Sequence, residues 1–276
     1  MSASQAPATP APARPFLKWA GGKGQLFDQI ARHVPENFAK YHEPFLGGGA
    51  MFFGLRPANA RLSDINEELV GCYVAIRDQV EKVIAALKPH TYDKEHFYEV
   101  RDKDPRRLKD PARAARMIYL NKTGFNGLYR VNASGKFNVP FGRHTNPLIC
   151  DEVNLRACSA VLQTTELSTS DFERVLDEAR SGDFVYFDPP YVPISDTAYF
   201  TAYVPGGFGW DAQKRLHAVF EELERKNVMA LLSNSDVPEL RKLYAGYRVN
   251  KVTATRRINS DALGRGKMSE VVISNF

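Results

Sequence analysis

Residues 183–191 read Asp183-Phe184-Val185-Tyr186-Phe187-Asp188-Pro189-Pro190-Tyr191. An unbroken apolar run closed by an acid predicts a short strand buried on both faces, as in a parallel α/β sheet. In an open sheet of that kind the carboxyl ends of the strands form the ligand crevice, and Asp188 falls at such an end. The two prolines fix φ and remove two backbone donors, which leaves carbonyls free to accept. A carboxylate (Asp188) and a neighbouring main-chain carbonyl (Pro189) can accept both N–H bonds of an exocyclic amine on a base. That favours a more tetrahedral nitrogen with its lone pair aimed at an electrophile, and the ring of Tyr191 can stack on the base. A base in a duplex must leave its stack to get there, at a cost of roughly a few kcal/mol. Taken alone, residues 188–191 serve equally well as a tight turn after a buried strand.

Outward from this strand the α/β pattern continues. Toward the N-terminus, Lys40–Leu46 runs into Gly47-Gly48-Gly49, with a helix expected at Met51–Leu55. Ala60–Ile65 predicts a second strand and Asn66 the start of a helix with Leu69, Tyr73 and Ile76 on one face. Residues 161–172 predict a strand ending at Asp171 and Phe172. Helices are expected at Glu173–Arg180 and Trp210–Lys226, and further strands at Val228–Leu232, Tyr247–Thr253 and Glu270–Asn275. Strand, glycine turn, helix, strand and acid in that order is the pattern of a nucleotide-binding α/β unit. Between the halves, residues 88–116 are densely charged, with a helix expected at Pro111–Leu120. Asn121–Gly142 is rich in Gly and Asn and interleaves Phe125, Tyr129, Phe137 and Phe141 with Lys122, Arg130 and Lys136, with Arg143 just beyond it. It predicts a hairpin or loop-rich element apart from the sheet.

Three further motifs carry chemistry. In Glu43-Pro44-Phe45-Leu46-Gly47-Gly48-Gly49 the glycines allow close approach of backbone to a ligand, and Asp64 ends the next strand, placed to accept from ribose hydroxyls. The full GxGxxG pattern of a dinucleotide oxidoreductase is not met, because Phe52 stands at its third glycine. The glycines also follow Pro44-Phe45 rather than an apolar strand. Phe16-Leu17-Lys18-Trp19-Ala20-Gly21-Gly22-Lys23 offers an aromatic face and a cation around a Gly-Gly turn, or else a core tryptophan beside a surface turn. In Asn121–Arg143 the arginines and lysines can pair with phosphates, and Arg and Asn can read base edges.

Composition bounds the rest. The chain has 276 residues, 43% hydrophobic and 25% charged, as in ordinary globular proteins, with a net charge of +5 that leans toward a polyanionic partner. No apolar run approaches the ~18–20 residues that span a bilayer. Three cysteines without CxxC spacing (72, 150 and 158) fit a reducing cytoplasm, and the six histidines form no metal-ligand spacing. Residues 1–14, rich in Ala and Pro, predict a disordered tail.

Phe16–Lys23, Glu43–Gly49, Leu62-Ser63-Asp64-Ile65-Asn66, Phe125–Gly142 and Asp188–Tyr191, in this order over residues 15–276, resemble the Dam family of DNA adenine-N6 methyltransferases (D12 class, alpha group). The resemblance implies a Rossmann-like α/β sheet of the S-adenosylmethionine-dependent type formed by residues 15–74 and 151–276. A helical and hairpin DNA-recognition insertion would occupy residues 75–150. It implies Trp19, Lys23, Phe45, Gly47, Asp64, Asp171, Phe172 and Asp188 around S-adenosylmethionine. Asp188, Pro189 and Tyr191 would hold a flipped adenine. Lys18, Phe125, Asn126, Leu128, Arg130, Pro140 and Arg143 would lie on double-stranded DNA at GATC. The segment Arg256–Asp261 with Arg265–Lys267 is similar to the family's C-terminal loop near DNA phosphates. The implied protein is a cytoplasmic monomer without metal, solitary or paired with a restriction enzyme. A methyltransferase for cytosine N4 or protein glutamine, where Ser or Asn more often replaces Asp188, and a DNA-binding module without catalysis are the rivals.

Overall fold

The computed structural model describes residues 13–192, 208–255 and 267–276. They divide into two compact units, one formed within Gly21–Val70 and Thr164–Phe276, the other by residues 13–20 with Gly71–Gln163.

The first unit is built on one seven-stranded sheet in the order β3-β2-β1-β4-β5-β7-β6. Its strands are β1 (Tyr41–Glu43), β2 (Ala60–Asp64), β3 (Thr165–Thr169), β4 (Phe184–Phe187), β5 (Met229–Ser235), β6 (Arg248–Thr255) and β7 (Lys267–Ser274). The first five run parallel, while β7 enters antiparallel between β5 and β6. Strand order reverses direction at the β1–β4 junction, the topological switch point where open α/β sheets bind ligands. Helices α1 (Phe27–Ala31), α2 (Ala50–Leu55), α7 (Val175–Glu178), α8 (Trp210–Arg225) and α9 (Pro238–Leu243) belong to this unit. β4 is buried along its whole length, as its apolar run requires, and Val185 and Phe187 share a core with Leu216, Phe220 and Leu223 of α8.

The sequence sets the glycines after Pro44-Phe45 rather than an apolar parallel strand, and the structure differs in part. The triple glycine does follow a parallel strand. β1 is polar in sequence, Tyr-His-Glu, yet fully buried, because His42 Nε2 lies 2.9 Å from Asp183 Oδ2 and the Tyr41 hydroxyl donates to Glu43 Oε2 at 2.9 Å. Paired polar groups made a core strand look like a surface one.

The second unit contains most of the long helix α3 (Glu67–Leu87), with α4 (Lys94–Asp102), α5 (Asp110–Thr123) and α6 (Glu152–Leu162). α4 was not anticipated in the charged stretch. Asp93 caps it by accepting from His96 N at 2.8 Å, its Phe97 and Val100 are buried, and Arg116 of α5 donates to the carbonyls of Val100 and Arg101 at its last turn. Val161 and Leu162, expected in a strand, end α6 instead.

The unit boundaries also differ from the 15–74, 75–150 and 151–276 division expected from sequence. Residues 13–20 and 151–163 cluster with the helical unit. Asn154 of α6 accepts from Arg14 N and donates to Arg14 O, both at 3.0 Å, and Ser159 donates to Arg77 O. The same bonds correct the expected tail. Ala13 is buried and Arg14 is paired with Asp151 at 2.6 Å, so order begins before Pro15. Residues 1–12 and the expected loop at 256–266 lie outside the described residues.

Candidate active site and recognition element

The candidate catalytic residues converge at the carboxyl end of β4. Asp188 Oδ1 lies 2.7 Å from Lys23 Nζ and accepts from Ser233 Oγ at 3.0 Å, and Ser233 is bonded in turn to the buried Tyr186 hydroxyl at 2.9 Å. The Lys23 side chain is 4% exposed and that of Asp188 18% exposed. Lys23 follows the left-handed Gly21, whose carbonyl also accepts from its ammonium at 2.5 Å. The Gly-Gly turn therefore serves to fold the lysine back onto Asp188. Burial pushes the Asp188 carboxyl up, while the Lys23 ammonium and the Ser233 hydroxyl pull it back. The same ammonium stands 4.5 Å above the Tyr191 ring. Pro189 is buried between them in sequence, and Gln213 of α8 donates to Pro190 O at 3.1 Å, which fixes the turn.

The candidate cofactor residues gather at the ends of β1, β2 and β3. Asp64 Oδ2 accepts from Gly47 N at 3.0 Å and Oδ1 from Asn66 N at 2.9 Å, so the carboxylate organises the glycine turn. Burial raises the Asp64 pKa and these backbone bonds oppose the rise. Gly47 and Gly49 both take positive φ, which the turn requires. Phe45 stacks on Phe172 at 5.3 Å, and Phe208 meets both rings edge-on. Asp171 caps the turn after β3 by accepting from Glu173 N, and Arg215 of α8 binds it at 3.1 Å while lying 5.0 Å over the Phe172 ring. Three residues around this cluster were missed by sequence reasoning, as was Ser233 beside Asp188. Ile65, directly after Asp64, is 72% exposed and adjoins Asp171–Phe172 through the bond from Ser170 N to Asp64 O. Arg215 carried no motif. Glu43 stands in the glycine motif without a role of its own in the sequence pattern, yet it is a fully buried acid whose pKa burial pushes up to about 8.

Trp19 falls in the helical unit, stacked on Tyr129 at 5.4 Å. The candidate DNA residues are all in that unit. The expected hairpin forms, with antiparallel bridges Gly124–Phe141 and Val131–Phe137 and a tip turned by Asn132, whose side chain accepts from Ser134 N and Lys136 N. Asn121 anchors it. Its side chain accepts from Lys18 N and donates to Lys18 O and Gly127 O, each at 2.8 Å. Gly127 has positive φ, and a Cβ there would lie 2.5 Å from the Lys18 side chain, so glycine is required at that crossing. Phe125 is 49% exposed. Asn126, in the left-handed region, and Arg130, Pro140 and Arg143 are also exposed, while Leu128 is half-buried. The Arg130 guanidinium donates to the side chain of Asn138 at 2.8 Å and to its main-chain carbonyl at 3.5 Å.

A sheet in this order, with an antiparallel penultimate strand and an Asp-Pro-Pro-Tyr turn at its switch point, is that of the S-adenosylmethionine-dependent methyltransferases. Residues 19–258 match the D12 class N6 adenine-specific DNA methyltransferase family, and the chain belongs to it. It is 42% identical over 271 residues to the Type II methyltransferase M1.LlaDCHI of Lactococcus lactis subsp. cremoris, covering 95% of each chain. To the Type II methyltransferase M.MjaIII of Methanocaldococcus jannaschii it is 41% identical, covering 95% of this chain and 99% of that one. To the DNA adenine methylase of Escherichia coli K12 it is 34% identical over 94% of each. No helix among the described residues is long and apolar enough to cross a membrane.

Proposed function

We propose that this adenine-specific DNA methyltransferase takes its methyl group from S-adenosylmethionine and delivers it to adenine N6 of GATC in double-stranded DNA, after flipping the base. The observation that carries the chemistry is Asp188, clamped by Lys23 and Ser233 at the switch point beside the Tyr191 ring.

The residues at the ends of β1–β3 suit this cofactor. Each Asp64 oxygen accepts one backbone N–H and keeps a lone pair for a ribose hydroxyl. The exposed Ile65 offers an apolar face to a purine beside Asp171 and Phe172, whose own ring is covered by Phe45 and Arg215, while Phe45 and the Gly47 turn lie toward its methionine part. Bound there, S-adenosylmethionine supplies an electrophilic methyl group on a sulfonium. Asp188 and the Pro189 carbonyl accept the two N–H bonds of the adenine amine and turn its lone pair outward, and Tyr191 stacks on the ring. Transfer would be direct and in line: the N6 lone pair would form the N–C bond as the methyl–sulfonium bond breaks, the neutral thioether S-adenosylhomocysteine would leave with that electron pair, and the proton released from N6 would pass to solvent. Lys23 completes the site on this unit.

On DNA, Phe125 and Leu128 fill the space that the displaced adenine leaves. Lys18, Arg130 and Arg143 supply cations for guanine edges or phosphates, and Asn126 and Pro140 pack beside them. The Type II names of two relatives suit a partner of a restriction enzyme.

The test is incorporation of labelled methyl groups into plasmid DNA, followed by challenge with restriction enzymes that differ in sensitivity to GATC methylation. Protection at GATC is expected. Label without protection at GATC rejects the site and keeps the reaction. Incorporation into RNA or protein alone rejects both. In the same assay Arg130→Ala is expected to cost about 1–3 kcal/mol and to relax specificity at one base pair. Equal weakening on all DNA sequences makes Arg130 a phosphate contact instead.

A further inference from the structure

Tyr191 is held at two points. Its ring lies beneath the Lys23 ammonium, which belongs to the Asp188 cluster. Its hydroxyl donates to Glu270 Oε2 at 2.6 Å. Glu270 comes from β7, where it pairs with Ser235 at the end of β5, and no motif of the site includes it. Since β5 separates β4 from β7, the contacts Asp188–Lys23–Tyr191–Glu270 run as one chain across the end of β5.

A carboxylate is a costly way to satisfy a phenol. Ser or Asn would accept the same bond without placing a second anion near Asp188, whose charge, with burial, raises the Glu270 pKa. What a carboxylate adds is a short, strong and directional bond. The ring needs one. The two prolines fix the backbone on its N-terminal side, but rotation about the side-chain torsions still sweeps the ring through a wide arc, and a stacked base tolerates little of that motion.

We propose that Glu270 is a positioning residue for methyl transfer: from β7 it holds the Tyr191 ring, through the hydroxyl bond alone, at the angle that receives the target adenine. This rests on the reading of Tyr191 as a wall of the base pocket.

The test compares single-turnover methyl transfer from labelled S-adenosylmethionine to plasmid DNA, with cofactor affinity and melting temperature measured alongside. Glu270→Ala is expected to lower the transfer rate about 10- to 100-fold with cofactor affinity unchanged. In a Tyr191→Phe background the same substitution is expected to cost nothing further. Two milder variants keep the proposal testable even where Glu270→Ala does not fold. Glu270→Gln keeps the acceptor in place with a weaker, neutral bond and loses only part of the rate. Glu270→Asp keeps the charge, withdraws the acceptor by one methylene and loses the rate. The reverse order, or an equal loss from Glu270→Ala in the wild-type and Tyr191→Phe backgrounds, overturns the proposal with an active wild type in hand. A wild type that labels no DNA overturns the reading of the site and this proposal with it.

Discussion

With Asp188 replaced by alanine, methyl transfer is expected to fall by about 10²–10³-fold or more, while DNA binding persists. The magnitude is that of removing one preorganised hydrogen-bonding group at a reacting centre. Two effects combine in this variant. The proposed acceptor for the adenine amine is lost, and the Lys23 ammonium, 4% exposed, is left without the carboxylate 2.7 Å away. An uncompensated buried charge is destabilising, so melting temperature must be followed as well. Asp188→Asn separates the two effects, because it keeps shape and one acceptor oxygen but removes the charge. Label incorporation and a gel-shift assay on the same DNA check the outcome. A folded Asp188→Ala protein that still methylates DNA at a wild-type rate removes Asp188 from the mechanism.

A second large effect concerns stability against pH. Glu43 is 2% exposed, and burial pushes its pKa up to about 8, while the Tyr41 hydroxyl opposes the rise. In the unfolded chain its carboxyl titrates near an ordinary glutamate value of about 4.3. Between those limits the folded protein holds one proton more than the unfolded chain, so this group's contribution is greatest at low pH and is lost as pH rises toward about 8. At about 1.4 kcal/mol per unit, the whole window bounds the loss at about 4–5 kcal/mol. His42, whose pKa burial lowers, acts in the opposite sense as pH rises through its unfolded value. The difference between wild type and Glu43→Gln isolates the glutamate. Gln still accepts the Tyr41 bond but cannot ionise. Denaturant unfolding across this pH range is expected to show a flatter pH dependence for Glu43→Gln and a gain in stability near pH 8. Parallel curves for the two proteins remove Glu43 as the source.

Most of the sheet was legible in the sequence because its strands follow one rule. β4 and residues 229–232 of β5 are apolar, and both strands are buried on both faces. The sites at their ends were legible as motifs because backbone geometry demands particular residues there, the left-handed glycines 21 and 47 above all. The illegible parts depend on partners far away in sequence. The burial of β1 rests on a pair between His42 and Asp183, and α4 hides in a charged run because its apolar stripe is only Phe97 and Val100. Residues 151–163 changed unit because Asn154 and Ser159 bond to Arg14 and Arg77. Glu270 was invisible for the same reason. A lone acid on a late strand acquires meaning only when Tyr191 is found 2.6 Å away.

The position of β7 has a consequence for synthesis. It is made after every other strand of the sheet, yet it belongs in the interior, between β5 and β6. Until it leaves the ribosome, the flank of β5 is an open edge of unpaired backbone groups, the kind of surface on which chains associate wrongly. β6 must wait beside it without the neighbour it pairs with along eight residues, Arg248–Thr255. A nascent chain stopped short of Lys267 therefore lacks more than a terminus. It lacks the element that closes the sheet and, with Glu270, the carboxylate that meets Tyr191, so completion of the fold and completion of the site come with the same strand.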